Sequence, residues 1–252
     1  MDLWNDLETE AGLEGELLKT GSLDIGHRNS SIFRGSLNSC VQDGLEYEIL
    51  DAKQLHERFP AFTGMPAFEN PDEGYVACYQ PDGGFLSSED CISAYVDCAR
   101  KRGAIVKENQ KVSGYTILDD GTIQVKSGDG VYRAKKIIIT AGTWTKDLVP
   151  DVAETAKLEP ERQALAWFEP PAPHNDTVSD FAPSKLPVFI MQYDGREYYG
   201  FPEYKDRGVK VGLFNHQFEV VDPDTYSRVV TDEDVDIIRP FMKYFFPRIG
   251  TK

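Results

Sequence analysis

AKKIIITAGTW, residues 134–144, decides how the chain reads as a fold. Three consecutive isoleucines, Ile137–Ile139, and Thr140 stand between a lysine pair and Gly142. Such a run leaves no polar face for water, so it predicts a buried parallel strand covered on both sides. Upstream, EDCISAYVDCARKR (Glu89–Arg102) has the spacing of an amphipathic helix. Ser87 or Ser88 can cap its start, basic residues fill its last turn, and Gly103 can end it. Between helix and apolar run, Ala104–Lys107, Lys111–Ile117, Thr122–Lys126 and Val131–Arg133 read as strands, with turns at Asp119–Gly121 and Gly128–Gly130. Helix, strand, meander and buried strand imply a layered α/β unit.

Outward from this unit, the pattern changes on both sides. Leu3, Trp4, Leu7, Ala11 and Leu13 recur at helical spacing, so residues 2–12 predict a helix, and Ser22–Ile25 a short strand. AKQLHERF is a second helix candidate, with Asp51 as its N-cap and Pro60 as its stop. Beyond Pro150 come aromatic-rich strands, ALAWFE, VFIMQY, REYYGFP and VKVGLF, which predict an antiparallel sheet. Loops are expected over Pro170–Asp176 and Ala182–Pro187. A last helix, Asp232 to Phe245, is capped by Thr231 and stopped at Pro247.

The formal charge is −15, from 27 basic and 42 acidic residues, with no basic stripe. That field disfavours nucleic acid and anionic membrane as partners. No apolar run has the length of a membrane span, and the N-terminus lacks the regions of a secretory signal. Cys40, Cys78, Cys91 and Cys98 form no C-x-x-C pair, and Cys91 and Cys98 share a helix face as small packing residues. His27, His56, His174 and His216 lack metal-ligand spacing. Asp222 and Asp224 in VDPD read as a turn. No G-x-G-x-x-G, Walker A, G-x-S-x-G or H-E-x-x-H occurs.

One residue stands out in YYGFPEYKDRGVKVG, Tyr198–Gly212. Lys210 lies between two valines of a strand that otherwise looks built for burial. An ammonium group is costly to bury unpaired, so it is either an edge lysine reaching water or a working cation.

The stretches GFLSSEDCISAYVDCARKRGAIVKENQKV, YRAKKIIITAGTWTKDLV and EYYGFPEYKDRGVKVGLFNHQ, in this order, resemble the monomeric sarcosine oxidase family. LWNDLETEAGLEGELLKTGSLDIG resembles the same family, so the likeness covers essentially the whole chain. These flavoenzymes include N-methyltryptophan oxidase and pipecolate oxidase, within the broader D-amino-acid-oxidase-like group. The resemblance implies a mixed α/β (α+β) fold, with part of a two-dinucleotide-fold FAD-binding layer and an antiparallel-sheet substrate domain. Residues 1–80 would be a substrate-domain segment, 81–150 part of the FAD domain, and 151–252 the antiparallel-sheet substrate domain.

The same resemblance implies roles. Val112, Ala141, Gly142 and Trp144 would lie against FAD, where a glycine backbone can approach a ligand closely. Lys210 would be the cation that promotes reaction of reduced flavin with oxygen, and Tyr199 an active-site tyrosine beside the substrate. Met191 and His216 would be further substrate contacts. Read from the residues alone, Gly142 is also a plain chain turn, Trp144 a core residue and Tyr199 an ordinary strand aromatic. The implied reaction oxidises the C–N bond of a secondary amine or N-methyl amino acid to an imine and reduces O2 to H2O2. A monomer in cytoplasm or peroxisome, not secreted, is expected. The family's FAD fingerprint and its flavin-linking cysteine have no counterpart here, and the helical pattern already runs at Met1. The expectation is therefore the middle part of a longer enzyme; the alternative is a shortened, non-catalytic remnant or interaction module.

Overall fold

The computed structural model describes residues 2–13, 15, 17–65, 74–172, 178–205 and 207–249. The chain opens with α1 (Asp2–Ala11), β1 (Leu17–Leu18), β2 (Ser22–His27), α2 (Ser31–Asp43), β3 (Glu48–Asp51) and α3 (Ala52–Arg58). It continues through β4 (Tyr75–Gln80), β5 (Phe85–Leu86), α4 (Ser88–Lys101), β6 (Val112–Ile117), β7 (Ile123–Ser127) and β8 (Gly130–Ala134). A 3-10 turn, Gly142–Trp144, precedes α5 (Thr145–Leu148) and α6 (Pro150–Ala156). Then come β9 (Leu165–Phe168), β10 (Val188–Tyr193), β11 (Arg196–Phe201), β12 (Val209–Leu213) and α7 (Asp232–Phe245).

Contacts divide the chain into two compact units, one of residues 1–95, 163–217 and 229–252, the other of residues 96–162 and 218–228. The boundaries expected at 80/81 and 150/151 follow roles, a different criterion from this division by contacts.

The first unit is built on a seven-stranded sheet in the order β3-β4-β2-β10-β11-β12-β9. The aromatic strands β9 to β12 pair antiparallel, as their alternation predicts. The sheet does not stop there: β2 joins β10 in parallel, Leu23 opposite Phe189 and Ile25 opposite Met191. One face packs on α3 and α7, with Leu23, Ile25, Phe189, Met191, Val209 and Val211 buried against Leu55, Ile238, Phe241, Met242 and Phe245. On the other face α2 lies over β4, β2 and the neighbouring β10, with Phe33 and Cys40 meeting Val76 and Cys78.

Caps fix the helices where the sequence places them. Thr231 and Asp234 form a reciprocal capping box at the start of α7, as do Asp51 and Gln54 at α3. The helix α2 has no counterpart in the sequence reading. Ser30 accepts from the Phe33 N–H at its start and Gly44, at φ 64°, closes it. Its interior holds Ser, Gly and Asn, weak helix formers, so burial of Phe33 and Cys40 rather than propensity holds it. All four cysteines are free and buried, Cys91 and Cys98 included.

The second unit carries the three-stranded antiparallel meander β6-β7-β8. Two expectations fail here. Ala104–Lys107 is not a strand, and neither is the isoleucine run: residues 135–141 pair with nothing among the described residues. Ile138 is 89% exposed. A segment apolar on both sides needs a layer on each, and nothing described in this unit supplies either. The loop expected over Pro170–Asp176 lies partly outside the described residues, as does His174. No helix among the described residues is long and apolar enough to cross a membrane.

Tyr75, buried on β4, gives the first unit an alkaline limit. Burial, reinforced by Tyr193, Tyr244 and Asp194, pushes its phenol up to about 12. The folded protein therefore keeps a proton that the unfolded chain releases near 10. The stability this contributes is intact below pH 10 and lost as the pH rises through about 12. Tyr75→Phe should flatten that decline, measured as urea midpoints of variant and parent between pH 9 and pH 12.

Candidate functional site

Strand register decides which predicted residues meet. Lys210 stands opposite Phe201 on one side and Trp167 on the other. Directly opposed residues in antiparallel strands share a face, so these three side chains form a row across β11, β12 and β9. The row lies on the face away from α7. Lys210 Nζ sits 5.2 Å from the centroid of Phe201 and 5.5 Å from that of Trp167. Among the described residues no carboxylate lies within ion-pair distance of it.

Tyr199 belongs to the same face, two positions before Phe201. It stands opposite Gly212, and a Cβ there would overlap its ring. The missing side chain lets the phenol lie flat across β12 toward Phe214, 4.7 Å away between centroids. Burial raises the Tyr199 phenol above its ordinary value; like any tyrosine hydroxyl at neutral pH it can donate as well as accept a hydrogen bond.

Lys210, Trp167 and Phe201 open on a cleft of about 630 Å³. Its other wall comes from the start of α4 and the β11–β12 loop. Ser87 Oγ donates to Asp90 Oδ2 at 2.5 Å, and Lys205 Nζ donates to the same oxygen at 2.9 Å. That ion pair ties the loop to the helix. Phe85 packs edge-on against both Phe201, at 5.9 Å, and Tyr204, at 5.3 Å. The cleft thus has aromatic walls, a cation on its floor and a charged rim.

Met191 and His216 are not brought to this cleft. Met191 stands opposite Tyr198, on the face of the sheet toward α7, and is fully buried in the core. His216 follows β12 and turns to the start of α7. Its Nε2 lies 3.3 Å from Asp234 Oδ1, without the alignment of a hydrogen bond, and both side chains are sealed from solvent. Its backbone N–H donates to Gln163 Oε1.

The four residues expected against a cofactor all fall in the second unit. Val112 begins β6, Gly142 and Trp144 belong to the 3-10 turn, and Ala141 immediately precedes it. Gly142 has φ 55°, and a Cβ on it would meet nothing within 4 Å, so its backbone is open to approach. Trp144 is 42% exposed and not a core residue. Its Nε1 donates to Asp224 Oδ1 at 2.8 Å, while Lys111 Nζ donates to Asp224 Oδ2 at 2.9 Å. Asp224 therefore joins the turn to the residue just before Val112. VDPD is a turn as its sequence predicts, with the Asp224 N–H donating to Asp222 Oδ1, but its clamp role carries no local signal. Trp167 and Phe201, likewise, read only as strand aromatics until register sets them beside Lys210. Among the described residues no group of three or more His, Cys, Asp or Glu could hold a metal ion.

Comparison with known proteins agrees with this architecture. The chain is 31% identical over 250 residues to monomeric sarcosine oxidase of Bacillus sp. (strain B-0618), covering 98% of this chain and 60% of that protein. It is 29% identical over 252 residues to N-methyl-L-tryptophan oxidase of Escherichia coli O81 (strain ED1a), covering 98% and 62%. It thus spans about 60% of the length of these curated relatives. Among solved structures, the open form of NikD, described as an unusual amino acid oxidase essential for nikkomycin biosynthesis, matches with a TM-score of 0.71 at 20% identity. That match covers 100% of this chain and 63% of NikD. L-proline dehydrogenase from P. horikoshii also gives 0.71, at 17% identity, covering 98% and 60%. These last two likenesses speak to the fold. The family model described as DAO, FAD dependent oxidoreductase, matches residues 1–252, and the chain belongs to that family.

Proposed function

We propose that the chain is the substrate- and oxygen-facing part of an FAD-dependent oxidase of secondary amines or N-methyl amino acids. The observation that carries this reading is the Lys210 ammonium, held over two aromatic rings at a cleft and with no carboxylate partner among the described residues. A lysine that merely caps a strand edge has no need of aromatic walls. In this reading residues 1–80 and 151–252 serve the substrate side, and 81–150 the FAD side. Two relatives named for sarcosine and N-methyl-L-tryptophan supply the substrate class.

The residues present fit a flavin nucleotide in part. In the first unit the aromatic walls of the cleft suit a flat heterocycle; in the second, taken by itself, the left-handed, uncovered Gly142 suits close approach of a ligand to backbone. Trp144 and Val112 would flank that approach. Nothing in the sequence offers the glycine-rich turn that cradles a pyrophosphate, so these residues would hold only part of the nucleotide. Bound FAD would supply the two-electron chemistry that links amine oxidation to O2 reduction.

The chain's own residues then do the rest. Lys210 offers a fixed positive charge to the anion that develops as oxygen accepts an electron. Tyr199 offers its hydroxyl as a donor to a substrate carboxylate or other acceptor on the same face. Phe201 and Trp167 exclude water beside the ammonium, which strengthens its field. The test is absorbance. The purified chain, as isolated or after incubation with FAD and gel filtration, should retain flavin bands and produce H2O2 from an N-methyl amino acid. A colourless chain that FAD does not rescue would leave the non-catalytic remnant as the better reading.

A further inference from the structure

Resting on that reading of Lys210, we infer that Trp167 and Phe201 are positioning residues that clamp its ammonium by cation–π contact in place of a carboxylate. The register makes the clamp. Lys210 is the direct cross-strand partner of Phe201 on β11 and of Trp167 on β9, so the lysine stem rises between two rings on one face. Nζ stands 5.2 and 5.5 Å from their centroids, inside the range of about 6 Å over which a ring quadrupole attracts a cation. A carboxylate at this spot would hold the ammonium more firmly but would cancel its charge. Two neutral rings hold it and leave a net positive charge facing the cleft. The clamp has its own support: Phe201 is braced edge-on by Phe85 at 5.9 Å and by Tyr199 at 6.2 Å. Trp167, 47% exposed, closes the outer side.

Two readouts test the inference on the full chain. The first needs no FAD. With lysine labelled at Cε, and the Lys210 signal assigned by its loss in Lys210→Arg, the ε-methylene protons should be displaced upfield by the ring currents. Trp167→Leu and Phe201→Leu should each remove a large part of that displacement, while Trp167→Phe and Phe201→Tyr should keep most of it. An ordinary exposed-lysine shift in the parent, or no change in either leucine variant, overturns the clamp. Trp167→Leu alters a half-exposed side chain, so a folding failure in Phe201→Leu leaves the other variant to decide.

The second readout is reoxidation by O2 of the FAD-loaded, reduced protein. Each leucine variant should slow it roughly three- to tenfold, with the aromatic variants restoring it. Unchanged reoxidation in both leucine variants, where Lys210→Met slows it, overturns the positioning role. Should Lys210→Met itself leave reoxidation unchanged, the oxygen-side role of Lys210 fails, and the proton shifts alone then decide whether the rings clamp the ammonium.

Discussion

Lys210→Met should slow reoxidation of the FAD-loaded, reduced protein by oxygen roughly 10²–10³-fold, the usual cost of losing one preorganised group that stabilises developing charge. Methionine matches the lysine stem in length and apolar character, so packing between Phe201 and Trp167 survives while the charge goes. Reduction of the flavin by an N-methyl amino acid involves no anionic oxygen species and should change far less. Stopped-flow absorbance separates the two half-reactions. Equal slowing of both would mean that Lys210 supports the architecture of the cleft rather than the oxygen chemistry. Lys210→Arg offers a second reading. A guanidinium keeps the charge but spreads it over a larger, planar group, so it should recover only part of the rate.

Lys210 itself is conspicuous in the sequence because an ammonium between two valines breaks a burial pattern, and charge is a local property. What makes it a site is not local. Trp167 arrives on another strand, and the wall of the cleft comes from the start of α4, so both depend on pairing that one-dimensional periodicity does not encode. The same limit explains Met191. Its position on a strand is legible, but which way it faces depends on register, and one residue of register exchanges the core for the cleft. The isoleucine run shows the converse. Its composition states a need for two covering layers without saying which segment meets the need, and residues 135–141 join no strand among the described residues. Caps are the most legible feature, because an N-cap acts within its own first turn of helix. Thr231 and Asp51, read as N-caps, place two helix starts correctly, whereas α2, held by long-range burial of Phe33 and Cys40, leaves little trace.

The core that supports the site should fail most sharply at Phe241. Its ring is fully buried and stacks on Tyr198 at 4.0 Å with an interplanar angle of 7°. It also meets Phe245 at 5.0 Å, Phe246 at 6.1 Å and Tyr193 at 6.5 Å. Phe241→Ala removes the centre of this cluster, and the surrounding rings cannot close over the space without leaving their own contacts. The expected cost is about 3–5 kcal/mol, a large part of the roughly 5–15 kcal/mol that holds a typical domain folded. Tyr198 connects the effect to the cleft. It presses on α7 from β11, and its neighbours Tyr199 and Phe201 project from the opposite face of that strand. Loosening α7 should therefore blur the aromatic row beside Lys210 before the sheet itself unfolds. Urea titration should show the midpoint of Phe241→Ala far below that of the parent, while Trp167→Leu, on an exposed edge, moves it little. A Phe241→Ala loss no larger than about 1 kcal/mol, the cost of trimming one methyl group, would mean that α7 is not the cover of the sheet and that the strand bearing Tyr199 is held by its neighbours alone.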